Sequence, residues 1–265
     1  MNRKKETVQV VPLGLELDRF IELFREFKPD KVYFVKKGSE FYSEKDWEQL
    51  KAIEEKLRKV LPLSIIESKT FEISPEKLDY SDIFEWLLRV MCTEGRKGNR
   101  VIVNVAGGSR LLICAAVIAA SISHSEIYYI RAEEYMPKIN EHYLSAGTAG
   151  EVMKIPTFPI PLPKKAQRLV LARLFDEGAA RESVSLTLQE IVEKIGKQNL
   201  GSETDQSAIV KLSGSLRDLE DDGYIEIKSS GTKKREIRLT DEGELMARTI
   251  KIRNEIKSMA DFSTK

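Results

Sequence analysis

Residues 100–131, RVIVNVAGGSRLLICAAVIAASISHSEIYYIR, constrain the fold of this chain more than any other stretch. Val101 to Val105 is a short apolar run rich in valine, the pattern of a strand buried on both faces. Ala106-Gly107-Gly108-Ser109-Arg110 follows. Leu111 to Ile122 is then apolar on nearly all sides, and Ile127 to Ile130 reads as the next buried strand. Strand, glycine turn, helix and strand make a βαβ unit with its turn at the carboxyl end of a parallel strand. Open α/β sheets bind ligands at that end. Gly107 and Gly108 allow close backbone approach. Ser109 and the free N–H groups of the helix can hold an anion, and Arg110 adds a fixed charge. The same residues also read as a tight turn whose glycines serve packing alone.

The chain upstream repeats the alternation. Val8 to Val11 is a strand candidate ended by Pro12-Leu13-Gly14-Leu15, and an amphipathic helix follows from Asp18 to Phe27. Lys31 to Val35 is a second strand and Asp46 to Val60 a second helix. Leu63 to Ile73 holds a third strand. Ser81 is read as the cap of a helix running to about Lys97. Val152 to Ile155 is a last short strand. This predicts an α/β domain over residues 1–154, a Rossmann-like, doubly wound, mostly parallel sheet. In such a sheet the first strand often lies beside the fourth. The turn at Leu13, Gly14 and Leu15 would then face Gly107 to Arg110 across one crevice. Asp18 and Arg19 open the next helix and read either as an ordinary charged first turn or as ligand contacts. The glycines do not follow G-x-G-x-x-G, and no acidic residue ends the second strand to hold a ribose, so a nicotinamide enzyme is not expected. Arg131, Glu133 and Glu134 fall near the same crevice. Residues 131–150 are polar and suit a lid. His142 within them is a lone loop histidine, which is usually neither a proton shuttle nor a stacking group.

Totals set limits on function. With 42% hydrophobic and 32% charged residues the chain is globular rather than disordered. Its longest apolar run is too short to cross a bilayer, and the start MNRKKETVQVVPLG has too short an apolar run for a secretory signal, so a cytoplasmic protein without a membrane partner is expected. Residues 1–160 carry 24 basic and 24 acidic side chains, and residues 161–265 carry 19 and 18, so any nucleic-acid site must be a local patch. Cys92 and Cys114 read as reduced core thiols. Two histidines and two cysteines are scattered without ligand spacing, so no metal or other cofactor is expected.

Residues 155–163, IPTFPIPLP, are proline-rich, extended and stiff, and mark a boundary. Residues 164–265 have their own rhythm. A helix spans Lys165 to Glu177, and Ser185-Leu186 is extended. Thr187 to Glu190 is a capping box opening a second helix, which Gly196 ends. A third helix ends at Asp222 with Ile209, Leu212, Leu216 and Leu219 on one face. Tyr224 to Lys228 and Arg235 to Leu239 form a hairpin, and Thr240-Asp241 caps a last helix. This order predicts an α+β winged helix-turn-helix. The wing, Lys228 to Arg238, holds five basic residues against one acidic. Lys233, Lys234 and Arg235 suit phosphates. On the third helix Gln206, Ser207, Lys211, Ser213, Ser215 and Arg217 are candidates for bases or phosphates of double-stranded DNA. A winged helix used only for protein contacts is the competing reading.

The combination resembles the CARF (CRISPR-associated Rossmann fold) regulators of archaea with a carboxyl-terminal MarR-type winged helix. The resemblance rests on VVPLGLELDR (Val10 to Arg19), NVAGGSR (Asn104 to Arg110), YYIRAEEY (Tyr128 to Tyr135) and LRDLEDDGYI (Leu216 to Ile225). It implies a homodimer that binds a cyclic oligoadenylate, often cyclic tetra-adenylate, or a related nucleotide across its two-fold axis. Carried over by position, the contacts would be Leu13, Gly14 and Leu15, with Ala106, Gly107, Gly108, Ser109 and Arg110. The HEPN ribonuclease motif of some relatives needs an arginine five residues before a histidine, and Ala119 and Pro137 stand there. The expectation is a ligand-responsive DNA-binding transcriptional regulator with no catalytic residues assigned. A ring nuclease or nucleotide hydrolase working in the same crevice, or a winged-helix adaptor, are the alternatives.

Overall fold

Short β-branched runs and amphipathic runs alternate through the first 130 residues, and they fold as strands and helices in turn. In the computed structural model, which describes residues 5–61, 67–74, 79–135, 145–148, 150–229 and 234–262, the first elements are β1 (Thr7–Pro12), α1 (Leu17–Phe27), β2 (Lys31–Lys37) and α2 (Glu44–Val60). β3 (Glu67–Ile73), α3 (Tyr80–Arg96), β4 (Arg100–Asn104), α4 (Arg110–Ser123) and β5 (Glu126–Ile130) continue the alternation. A small hairpin, β6 (Glu134–Tyr135) and β7 (Ser145–Ala146), precedes β8 (Val152–Ile155). These belong to a compact unit, Met1–Ile160.

The sheet order is β3-β2-β1-β4-β5-β8, with only β8 antiparallel to its neighbour. This is the Rossmann-like, mostly parallel sheet expected. β1 pairs with β4 with Val8 opposite Val101 and Val10 opposite Val103. Strand order reverses at that pair, because the chain leaves β1 toward β2 and leaves β4 toward β5. Right-handed crossovers in opposite directions put α1 and α2 on one face and α3 and α4 on the other. Val8, Val10, Val11, Val32, Phe34, Ile102, Val103 and Ile127 are fully buried. Phe20, Phe24, Leu50, Ile53 and Leu57 from α1 and α2 close one core cluster over β1 and β2.

Two local expectations are corrected. Asp79, not Ser81, caps α3, its carboxylate accepting from the Ser81 N–H at 3.2 Å. The thiols are not in the core: Cys92 is half-buried and Cys114 exposed. The inward stripe of α4 runs through Leu112, Ala115, Ala116 and Ala119, which leaves Leu111 and Cys114 on the solvent side of a helix that is apolar nearly all round.

The second unit, Pro161–Lys265, is built from α5 (Lys165–Asp176), β9 (Val184–Leu186), α6 (Leu188–Ile195), α7 (Asp205–Asp221), β10 (Ile225–Ser229), β11 (Arg235–Leu239) and α8 (Asp241–Phe262). The capping box forms as read, with Thr187 Oγ1 accepting from the Glu190 N–H at 3.1 Å and the Glu190 carboxylate accepting from the Thr187 N–H at 2.7 Å. Gly196 then leaves α6 at φ 85°, a conformation that favours glycine. β10 and β11 form the antiparallel hairpin, and β9 pairs with the outer side of β11. Ala208, Leu212, Leu216 and Leu219 turn α7 inward onto a core that includes Val170, Leu174, Ile191, Val192, Ile225 and Ile237.

Candidate functional site

Parallel strands present their carboxyl ends together, so the β1 and β4 turns must meet at the point where strand order reverses. They do not stand across an open gap but pack against each other. A Cβ on Gly108, which has φ 103°, would lie 2.7 Å from the Pro12 carbonyl oxygen. One on Gly14 would lie 2.4 Å from the Gly108 nitrogen. Neither distance is one that a real Cβ tolerates, so both positions require glycine.

A carboxylate occupies the junction. The same Cβ on Gly14 would lie 2.4 Å from Glu16 Oε2, and one on Gly107 would lie 2.6 Å from Oε2 and 2.5 Å from Cζ of Phe20. The glycines therefore make room for Glu16 and Phe20 of this chain. Glu16 Oε1 pairs with Arg19 Nη2 at 3.2 Å, and the two side chains are 10% and 7% exposed. Glu16 Oε2 and Arg19 Nε are buried without a hydrogen-bond partner among the described residues. Burial pushes the Glu16 carboxyl above its ordinary range, while Arg19 and the Gly108 amide pull the other way. The Gly108 N–H acts through proximity, since it makes no well-aligned bond to Oε2. Asn104, fully buried at the end of β4, accepts from the Ala106 N–H at 3.0 Å and leaves its Nδ2 without a partner among the described residues.

The predicted ligand residues divide by exposure. Leu13 and Ala106 are buried, so their side chains serve the core, and Leu15 packs partly against it. Gly107 is also buried, whereas Gly14, Gly108 and Ser109 are half-buried and Arg110 is exposed. Ser109 caps α4 by accepting from the Leu112 N–H at 3.5 Å. The Arg110 and Leu111 N–H groups that open α4 have no acceptor within the helix. Arg110 forms no ion pair with Glu133 or any other described side chain. Asp18 is engaged elsewhere, its carboxylate accepting from the Gly147 N–H at 3.1 Å. Arg131 is exposed, the Glu134 side chain and His142 lie outside the described residues, and Glu133 packs beside Gly147. The arrangement can hold an anion at Gly108, Ser109 and Arg110, above a buried Glu16–Arg19 pair. That pair was not singled out from sequence, although an acid and a base three apart, directly after the turn, were a readable signal.

In the second unit, Gln206, Lys211 and Arg217 are exposed on α7, whereas Ser207, Ser213 and Ser215 are half-buried. Ser207 Oγ donates to the Thr204 carbonyl at 3.0 Å, which ties it to the helix cap. Ser215 lies on the side of α7 that carries the buried Ala208 and Leu219. The Lys211 ammonium donates to the Gly201 carbonyl. On the hairpin, Lys228, Lys234 and Arg238 are exposed and Arg235 is half-buried, while Lys233 lies outside the described residues. Sequence reading passed over Val210 and Gly214, because an exposed valine and an open glycine look like core and turn until the helix is oriented. Among the described residues no group of three or more His, Cys, Asp or Glu is placed to hold a metal, and no helix is long and apolar enough to cross a membrane.

Residues 7–135 match a family model described as HFX_2341_N:-like, N-terminal. A relative from Archaeoglobus fulgidus, described as an uncharacterized protein, is 25% identical over 181 residues, which span 68% of this chain and 73% of the relative. Among solved structures, Csm6 of Enterococcus italicus, bound to cyclic hexa-2'-fluoro-hexa-dAMP, is similar at 12% identity and a TM-score of 0.42, over 83% of this chain and 56% of that one. Can2 of Sulfobacillus thermosulfidooxidans, in complex with cyclic tetra-adenylate, is similar at 14% identity and a TM-score of 0.37, over 89% of this chain and 73% of that one.

Proposed function

We propose that this protein is a ligand-responsive, DNA-binding transcriptional regulator. Residues 1–154 act as a CARF-like sensor, residues 155–163 as the proline-rich linker, and residues 164–265 as a winged helix-turn-helix. The sensor takes a cyclic oligoadenylate, cyclic tetra-adenylate first, or a related nucleotide. One observation carries this reading: an exposed Arg110, unpaired among the described residues, stands at the start of α4 beside Gly108 and Ser109, where the sheet reverses its strand order. Free helix N–H groups and a guanidinium suit a phosphate. A homodimer follows from the ligand, because a two-fold ring is held best by two copies of the same turn. Hydrogen-bonding side chains on α7 and the cations of the wing, Lys228 to Arg238, supply the DNA contacts.

Calorimetric titration of cyclic oligoadenylates of different ring size tests the sensor, with chromatography of the recovered ligand to detect cleavage. Gel shift on the DNA upstream of its own gene, with and without ligand, tests the regulator. Saturable binding of an intact ring, together with a ligand-dependent shift, is expected. A cleaved ring would make the site at Gly108, Ser109 and Arg110 an enzyme site, and no shift at low salt in either condition would remove the regulator reading.

A further inference from the structure

The outward face of α7 carries two residues that solvent exposure alone does not explain. Val210 is 65% exposed. Gly214, one turn later and in mid-helix, has open space where a Cβ would stand, with nothing within 4 Å. Glycine weakens a helix relative to alanine, and nothing described within the unit requires it here. At about 100° per residue, Gln206, Val210, Gly214 and Arg217 fall on one side of the helix, opposite the buried stripe of Ala208, Leu212, Leu216 and Leu219. The acids flanking that side are tied down. Asp205 pairs with Lys197 at 3.1 Å, and Asp218 accepts from Gln167 Nε2 at 3.1 Å and lies 3.8 Å from Lys164 Nζ. From Gln206 to Arg217 the face holds no carboxylate, and Asp221 closes it one turn further on.

We propose that Gln206, Val210 and Gly214 form the base-reading strip of α7 in a DNA major groove. The Val210 methyls pack on a thymine methyl. Gln206 reads the neighbouring base edge. Gly214 lets the sugar-phosphate backbone come closer than a Cβ would permit. This rests on the DNA-binding reading of the second unit and deepens it by naming the residues that choose sequence. A protein partner fits the strip less well. Val210 is the one large apolar side chain exposed on α7 among the described residues, far too little for the apolar centre of a protein interface. One isolated methyl-bearing contact among polar and cationic neighbours suits a groove instead.

The test uses the full chain. Binding sites are selected from a random duplex library, and affinities are then measured for the wild type, Val210→Ala and Gly214→Ala. The selected duplex is also prepared with deoxyuridine replacing each thymine in turn, which deletes only the methyl group. One such replacement is expected to weaken the wild type about fourfold, the value of one buried methyl, and to leave Val210→Ala indifferent. Gly214→Ala is expected to lose about tenfold in affinity, because a Cβ that holds the helix off the sugar-phosphate backbone also withdraws the strip from one base contact, while its helix melts at the same temperature or higher by circular dichroism. Wild-type affinity in Gly214→Ala, or no thymine that separates wild type from Val210→Ala, overturns the strip and leaves DNA binding standing. Failure to select any duplex at low salt overturns the DNA reading itself, and this inference with it.

Discussion

Glu16 Oε1 lies 3.2 Å from Arg19 Nη2, and both side chains are at least nine-tenths buried where the β1 turn meets the β4 turn. A buried charge left alone is costly, so the pair should depend on both members. Arg19→Ala is expected to destabilise the first unit by about 3 kcal/mol, the low end for breaking a buried pair. Both tryptophans, Trp47 and Trp86, lie in residues 1–160, so urea unfolding followed by tryptophan fluorescence reports on that unit. The double change Glu16→Gln with Arg19→Gln should recover part of the loss. A single-change cost below about 1 kcal/mol would show that the pair is solvated like a surface one.

Glu16 also sets a pH dependence. Its pKa in the folded protein is raised by burial, so folding binds its proton more tightly than the unfolded chain does. The associated stability is fully present below the ordinary carboxylate pKa of about 4.3 and is lost as pH rises through the raised value. Over the same rise a negative charge forms beside Gly108 and should repel a phosphate held at Gly108, Ser109 and Arg110. Cyclic tetra-adenylate affinity of the wild type is therefore expected to fall as pH rises through that window. Glu16→Gln should show no such slope and should bind more tightly than the wild type above that window. Parallel pH profiles for the two proteins would mean that the ligand does not feel Glu16.

Much of the fold is legible in the residues alone, and the reason is local. Val101 to Val105 and Leu111 to Ile122 admit few alternatives to a buried strand and a buried helix. Thr187 and Glu190 announce a helix start by their spacing alone. The reversal at β1 and β4 followed from the alternation of elements. The filling of the crevice by Glu16 and Phe20 did not, because it depends on how closely two turns separated by about ninety residues approach. The exposure of Cys114 was missed for a related reason. A helix that is apolar on all sides has no periodicity to say which side faces solvent.

Arg110→Ala is the change expected to separate ligand binding from folding. It is exposed and pairs with no described side chain, so Arg110→Ala should leave the unfolding midpoint unchanged. In calorimetry the same change should weaken cyclic tetra-adenylate by about ten- to a hundredfold, the value of one charge-assisted hydrogen bond. Equal affinities in the two proteins would place the phosphate elsewhere.

Acid should open the first unit through a different group. Glu94 is 1% exposed and accepts from Tyr33 Oη at 2.8 Å, Lys97 Nζ at 2.9 Å and Asn99 Nδ2 at 2.7 Å, with Lys31 Nζ at 3.4 Å. Burial alone would raise its pKa, but these donors and the nearby ammonium groups win and hold it at about 2. A lowered folded pKa gives stability that is present above the unfolded value and lost as pH falls through the folded one. That window runs from about pH 5 down to about pH 2, and the contribution is about 3 kcal/mol. Glu94→Gln is expected to unfold at lower urea at pH 7 and to converge on the wild type near pH 2. A constant gap between the two proteins down to that pH would assign the loss to packing instead.

The hairpin and α7 should fail in different ways. Lys228, Lys234 and Arg238 project from the hairpin, with Arg235 half-buried at the end of β11. Cations of this kind meet phosphates, which every sequence presents alike. Replacing Lys233, Lys234 and Arg235 with Ala should therefore weaken all duplexes in similar proportion. It should also flatten the plot of log affinity against log salt by about 0.9 for each phosphate that is no longer neutralised. Val210→Ala should do the reverse, changing which duplex is preferred while the salt slope stays the same. Measuring affinity at several salt concentrations on the selected duplex and on a scrambled one distinguishes the two. If the hairpin change alters preference without altering slope, its side chains read bases and the division of labour proposed for the second unit is wrong.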